Sequence, residues 1–293
     1  KQIWSRFLWA RRLLNSLRPE AVLFYGEDSL LLLMLRHWCN HHGAVLVKEE
    51  NEHPEVRLKT ARSRRFFLWA NYALPDVVAC MTGVLAEWMR SYRSGIRTVS
   101  FPMTVDMERF RTAIPEKPGY PYIVYCGILN DHKDGVNLLL SAFARVHAEF
   151  PEWRLVLIGG AIPGSPQDME YYRAFAKECG TAEATVFAGQ MKPEQIPGWL
   201  RGAEIAVLAR PDSLQAKAGF PTKLGEYMAA GAAVIVSDVG EIGQTLRNGS
   251  DVLLVAPGDA ADLEDALRRL LKDAPLRKTL RENAVETAGT KFN

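Results

Sequence analysis

The chain has 293 residues, 48% of them hydrophobic and 24% charged, with 36 Lys+Arg against 34 Asp+Glu. That length suits two domains, and the balance is that of an ordinary globular protein with no strong whole-molecule field. The longest apolar run, Leu30 to Leu35, is far too short to span a bilayer.

Charge is unevenly spread. Residues 1–110 carry 16 Lys+Arg against 11 Asp+Glu, and the remainder 20 against 23, so an acidic partner is expected to dock on the first part. Cys39, Cys80, Cys126 and Cys179 show neither metal-ligand spacing nor close pairing, and read as buried thiols in a reducing compartment. With no signal peptide visible, a cytoplasmic protein is expected.

From Lys1 the chain is already in a helical pattern (Ile3, Trp4, Phe7, Leu8, Arg11, Leu14). A strand at 21–25, a helix at 29–39 and a strand at 44–47 follow. The polar loop Lys48-Glu49-Glu50-Asn51-Glu52-His53-Pro54 comes next. A helix at 64–72, a strand at 77–80, a helix at 85–92 and a short strand at 99–101 complete the first part. Three prolines (Pro115, Pro118, Pro121) and Gly119 mark residues 111–121 as an interdomain linker. The second part alternates strands at 122–126, 155–158, 185–187, 205–208, 234–236 and 252–255 with helices, six strands as in a dinucleotide-binding fold. The expected fold class is therefore α/β, with two doubly wound parallel domains at 1–112 and 120–274 and a helical segment at 275–293.

The most informative stretch is Gly219-Phe220-Pro221-Thr222-Lys223-Leu224-Gly225-Glu226-Tyr227-Met228-Ala229-Ala230-Gly231, followed by the apolar run Val234-Ile235-Val236. Pro221 is expected at the first helical position and Gly231 at the helix end, giving loop, helix, turn and buried strand. A helix N-terminus favours an anion such as a diphosphate. Lys223 in the first turn opposes the helix dipole, a placement that an anion would offset. Glu226, on the same face, can accept hydrogen bonds from a sugar diol.

This stretch resembles the donor-binding signature of GT-B glycosyltransferases, most closely glycosyltransferase family four. The resemblance implies that Lys223 contacts the donor diphosphate and Glu226 the ribose hydroxyls. Many members carry a second glutamate where this chain has Ala218, so its sugar contacts would fall to the backbone of Gly219 and Phe220. Pro221, Thr222 and Leu224 complete the donor-binding stretch. Gly127-Ile128-Leu129-Asn130-Asp131-His132-Lys133-Asp134-Gly135 resembles the family's cationic loop, with Lys133 as its second cation and Ile128 where the first would stand. A solvated loop lysine is the alternative for Lys133. Gly189-Gln190-Met191 resembles the base-binding loop, with a plain turn as the alternative. Asp238 and Glu241 lie beyond another strand end, and Asp238 alternatively caps the helix at 242–246. Asn51 or His53 matches a sugar-contacting position of the first domain, or else belongs to an acidic surface loop.

Residues 102–110 resemble the family's P-x-x-V-D-x-x-x-F segment. The first domain would lack its early strands, leaving about four strands with an unprotected edge or face, and the chain reads as a fragment of a longer enzyme. With no D-x-D triplet, no metal and no cofactor are expected, and the leaving diphosphate would be held by protein charges. The implied activity is a retaining transfer of sugar from a nucleoside-diphosphate donor to a glycan or glycolipid. A binding paralogue, a sugar epimerase or a phosphorylase are the alternatives. Basic and aromatic residues interleave over 62–69, as they do over 4–12. Such segments suit an anionic membrane surface or a core helix, and less readily nucleic acid.

Overall fold

The structure, a computed structural model, describes residues 2–58, 63–162 and 164–293. The chain forms two compact units, Lys1–Pro102 with Lys217–Phe220, and Met103–Ala216 with Pro221–Asn293.

In the first unit, β1 (Ala21–Phe24), β2 (Val45–Glu50), β3 (Val77–Cys80) and β4 (Arg97–Ser100) make one parallel sheet in sequence order. Helices alternate with the strands because apolar residues recur at helical spacing between them. Along Ser29–His42 these are Leu32, Leu35, Trp38 and Cys39, which pack with Phe24, Ala44 and Leu46. That helix runs past its expected end at Cys39 because Gly43 takes the left-handed conformation (φ 69°) and returns its N–H to the Cys39 carbonyl. β1 and β4 are the sheet edges, and Leu23 and Tyr25 stand exposed at the β1 edge.

Two boundaries differ from the sequence expectation. β2 continues through Glu50 instead of stopping at Val47, since Lys48 and Glu50 are fully buried and neutralise each other at 3.5 Å. The stretch beginning at Lys48 is therefore no plain acidic surface loop. β4 starts at Arg97, two residues early, because the parallel register pairs Val77 with Arg97.

The second unit holds β5 (Tyr122–Cys126), β6 (Arg154–Ile158), β7 (Thr185–Gly189), β8 (Ile205–Leu208), β9 (Ala233–Ser237) and β10 (Leu253–Val255). They form a parallel sheet in the order β10-β9-β8-β5-β6-β7. The strands β5, β8 and β9 are buried along their whole length, which explains their continuous apolar runs. The order reverses between β5 and β8, and a crevice beyond the carboxyl ends of the strands is the usual ligand position there.

Residues 103–121 belong to this second unit. Phe110 is buried, the Val105 N–H donates to the Phe292 carbonyl (2.6 Å), and the Glu116 N–H donates to the Gly198 carbonyl (3.0 Å). Cys39, Cys80 and Cys126 are buried free thiols, and Cys179 is half-buried. Among the described residues no helix is long and apolar enough to cross a membrane.

The helix Thr222–Ala229 ends in a two-bond reverse cap. Gly231 (φ 74°) donates to the Met228 carbonyl and Ala232 to the Tyr227 carbonyl. A methyl group at 231 would meet a left-handed backbone and the Val285 side chain at 3.3 Å. Gly231→Ala should therefore cost about 1–2 kcal/mol. The expected readout is a lower urea midpoint at unchanged far-ultraviolet circular dichroism; an unchanged midpoint would show that the glycine conformation is dispensable.

Candidate functional site

One fully buried phenol sets the site. The Tyr227 hydroxyl accepts from the Cys126 N–H (2.7 Å) and donates to the Cys126 carbonyl (3.2 Å), tying the helix Thr222–Ala229 to the end of β5. Leu224, also fully buried, fixes the helix rotation. Lys223 is thereby laid over Gly127, where a Cβ would overlap its side chain. Pro221 proves to be the cap residue and Thr222 the first helical one. Proline offers no side-chain acceptor, and the Leu224 N–H turns back to the Pro221 carbonyl (3.1 Å), so the Thr222 and Lys223 N–H groups are the ones left to a ligand.

Lys223 forms an ion pair with Asp134, donates to the Tyr125 hydroxyl (3.3 Å) and lies 5.2 Å from the Tyr125 ring centroid. The Tyr125 hydroxyl is 2.8 Å from the Asp134 carboxylate and 2.7 Å from the Ile128 carbonyl. Burial, and next the Asp134 charge, push that phenol well above its ordinary pKa, so it stays a neutral donor. On the other side the Arg210 Nε is 4.0 Å from Asp134, and its Nη1 donates to the Ala216 carbonyl (3.3 Å). Asp134, which follows β5, thus sits buried between two cations that both come from the connection between β8 and β9. Gly135 makes this possible. Its left-handed backbone (φ 64°) lies so close to the Ala209 carbonyl that no Cβ would fit. Lys133 is half-buried in the same turn, and its carbonyl accepts from the Arg210 Nε at 3.5 Å.

Glu226, one turn beyond Lys223, is 3.5 Å from an Arg109 nitrogen. Burial raises its pKa, while Arg109 and then Lys223 oppose the rise. The second Arg109 nitrogen donates to the Pro193 carbonyl (2.6 Å), in the loop that leaves β7 through Gly189 (φ 72°), Gln190 and Met191. Gly127, Lys133, Pro221, Thr222, Lys223 and Glu226 are therefore brought together. Gly189 and Met191 are joined to them through Arg109. The sequence reading missed Asp134, Arg210, Tyr125 and Arg109. Their positions at the ends of β5 and β8 were the available signal for Tyr125 and Arg210. Asp238 is exposed, and no side chain caps the helix Ile242–Thr245, so the capping alternative for Asp238 is not formed.

The remaining candidates lie in the first unit. Asn51 donates to the Tyr25 hydroxyl at 3.4 Å. His53 is buried, its ring edge-to-face with Trp88 at 5.6 Å, and its Nδ1 accepts from the Glu55 N–H at 3.2 Å. Burial lowers its pKa, so a neutral ring with the proton on Nε2 is favoured. Ala218 is fully buried among Phe67, Tyr72 and Val78, and its carbonyl accepts from the Thr82 hydroxyl (2.6 Å). Gly219 and Phe220 are half-buried beside it in sequence.

Two parallel Rossmann-like sheets of this kind define the GT-B fold. Residues 106–287 match the family model for glycosyl transferases group 1, and the chain belongs to that family. It is 30% identical over 188 residues to a phosphatidyl-myo-inositol mannosyltransferase of Mycobacterium leprae (strain TN), covering 63% of this chain and 47% of that protein. The chain spans about half or less of the length of the first curated relatives it matches. Its backbone is similar to a sucrose-phosphate synthase from Thermosynechococcus elongatus, with a TM-score of 0.79 at 20% identity over 99% of this chain and 74% of that one. It is also similar to the Anabaena protein HepE in complex with UDP and glucose, with a TM-score of 0.76 at 16% identity over 97% and 77% of the two chains.

A carboxylate whose folded pKa is raised costs stability once pH exceeds its unfolded value. Glu226→Gln should therefore stabilise the ligand-free protein at neutral pH. The gain should shrink as pH falls and wild-type Glu226 takes up its proton. Urea unfolding of both proteins at pH 7 and pH 4.5 checks this. A gain that is equal at both pH values, or a loss at pH 7, would contradict the raised pKa.

Proposed function

We propose that the chain is the donor-binding part of a retaining, metal-independent glycosyltransferase that moves a sugar from a nucleoside diphosphate to a glycan or glycolipid hydroxyl. The observation that carries this reading is the placement of Lys223 and Glu226 one turn apart, at a helix N-terminus opening on the strand-order switch. The ammonium and the first-turn N–H groups meet the diphosphate, and the Glu226 carboxylate accepts from the ribose diol. Family membership and the UDP bound by HepE support the nucleotide donor. A mannosyltransferase of a phosphatidyl lipid among the relatives supports a cell-envelope glycolipid acceptor.

As the glycosidic bond breaks, negative charge grows on the departing diphosphate. Lys223, Lys133 and the helix N-terminus are the charges available there, and Arg210 and Asp134 hold Lys223 in place. The resemblance to family four implies that the new bond forms from the face the diphosphate leaves, keeping the donor's anomeric configuration. Among the described residues no group of three or more His, Cys, Asp or Glu is placed to hold a metal ion.

Ala218 favours one second reading, a nucleotide-sugar-binding paralogue without transfer. Many members of the family carry a glutamate at that position, and here an alanine packs with Phe67, Tyr72 and Val78. Incubation with labelled donors separates the two, since only the transferase releases or moves the label.

Calorimetry with UDP, GDP and ADP should show one preferred nucleotide. Lys223→Ala should then weaken it roughly 10- to 150-fold, the loss of one charge-assisted contact. Unchanged affinity would remove the core of the assignment. In an active preparation, transfer should persist in EDTA and the product linkage should be retained by NMR. A strict need for magnesium, or an inverted product, would overturn the mechanism.

We also propose an anionic membrane surface as a partner. Of the basic residues in the 62–69 segment, Arg62 lies outside the described residues. Arg64 and Arg65 are exposed, on the same helix as the exposed Phe66 and Trp69. The protein should sediment with anionic vesicles at low salt, and lose them on replacing both arginines by glutamine. Equal binding to neutral vesicles, or none, counts against the docking.

A further inference from the structure

Arg109 is a charged residue beside Glu226 to which the donor signature gives no role. It sits on the short helix Met107–Arg111, whose start is fixed by the Asp106 carboxylate accepting from the Arg109 N–H (3.2 Å). The next residue, Phe110, is buried and anchors the helix in the second unit. The guanidinium therefore leaves a fixed point and forks. One nitrogen meets the Pro193 carbonyl at 2.6 Å, and the other faces Glu226 at 3.5 Å. The two acceptors come from different elements, the loop after β7 and the helix Thr222–Ala229.

We propose that Arg109 is a positioning residue for the nucleoside, one guanidinium that aims the Glu226 carboxylate and at the same time clamps the loop carrying Gly189 and Met191. This rests on the donor-site assignment above, in which Glu226 takes the ribose and that loop the base. Arg109 then acts on both ends of the nucleoside through other residues. Lys223 and the helix N-terminus, which Arg109 does not contact, take the diphosphate.

The chemistry of Glu226 strengthens this assignment. A carboxylate accepts two ribose hydroxyls only when ionised, and burial works against ionisation here. The charged and titratable groups around it are Arg109, Lys223 one turn earlier, the Cys126 thiol at the end of β5 and the Tyr227 phenol beside it. Burial pushes the thiol up to about 12 and the phenol well above its ordinary range, so both are neutral. Arg109 and Lys223 are the two cations that oppose this rise, and Lys223 is shared with Asp134. Arginine suits the task, because a planar fork serves two acceptors at once where an ammonium serves one point.

The test uses the full chain, two variants (Arg109→Met and Arg109→Lys) and two probes, the preferred nucleoside diphosphate and inorganic pyrophosphate. Affinities are measured by calorimetry from pH 5 to pH 8, with thermal unfolding of each variant alongside. Arg109→Met should weaken the nucleoside diphosphate by about tenfold at pH 7. The loss should deepen as pH falls, because the unassisted carboxylate takes up its proton at higher pH. Pyrophosphate affinity should stay within about twofold. Arg109→Lys should restore the wild-type pH profile but only part of the affinity. The proposal is overturned if Arg109→Met binds the nucleotide as the wild type does across this range. It is also overturned if both probes weaken equally, which is what a merely structural staple would give. If the folded wild type binds no nucleoside diphosphate, the donor-site assignment itself falls and takes this role with it.

Discussion

The second unit depends on a lysine kept where a helix would repel it. Lys223 stands in the first turn of Thr222–Ala229, at the end carrying about half a positive charge. Tyr227 fixes the helix so that the side chain cannot swing away, and Asp134 offsets the repulsion. Asp134 is itself buried, and a buried carboxylate without cations is costly, on the order of 3–5 kcal/mol when a partner is removed. Arg210, just after β8, supplies the second cation. Two cations share one carboxylate, which leaves a local positive excess beside the end of β5.

That arrangement sets demands on the backbone before any ligand is considered. The lysine can cross the end of β5 only because residue 127 has no Cβ, and Asp134 can reach it only because Gly135 packs onto the Ala209 carbonyl. Gly127 is required by the path of the lysine as well as by its backbone, and Gly135 by its left-handed conformation and its contact with the Ala209 carbonyl. A phosphate entering on the proposed reading would take over contacts that Asp134 now makes with Lys223. The site is thus preorganised in position while the lysine's partner changes.

Much of this was legible in the sequence, and for identifiable reasons. The second sheet was written in short runs such as Tyr122–Cys126 and Ile205–Leu208, since a strand buried on both faces tolerates little else. Gly231 announced its reverse cap, and Pro221 the helix start to within one residue. Partners distant in sequence were not legible. Nothing local links Asp134 to Lys223, or Arg109 to Pro193, because each contact is made by packing of elements far apart along the chain. The same limit misplaced Lys48 and Glu50. As a run of polar residues they read as loop, but once paired with each other and with the Tyr72 hydroxyl (2.8 Å) they extend β2.

Glu50 and Glu226 show how a structural and a ligand-seeking carboxylate differ. Glu50 is fully enclosed, and its oxygens take the Tyr72 hydroxyl, the Lys48 ammonium and the Glu52 N–H. Its acceptor capacity is spent inside the fold, which is the condition under which buried charge is tolerated. Glu226 is desolvated enough for its pKa to rise, yet among the described residues it takes one long hydrogen bond, from Arg109. The Glu226 side chain is 31% exposed, so its roughly four lone-pair positions stay open to solvent or to a ligand. On the proposed reading, a sugar diol next to a phosphate would suit Glu226 and Lys223 together.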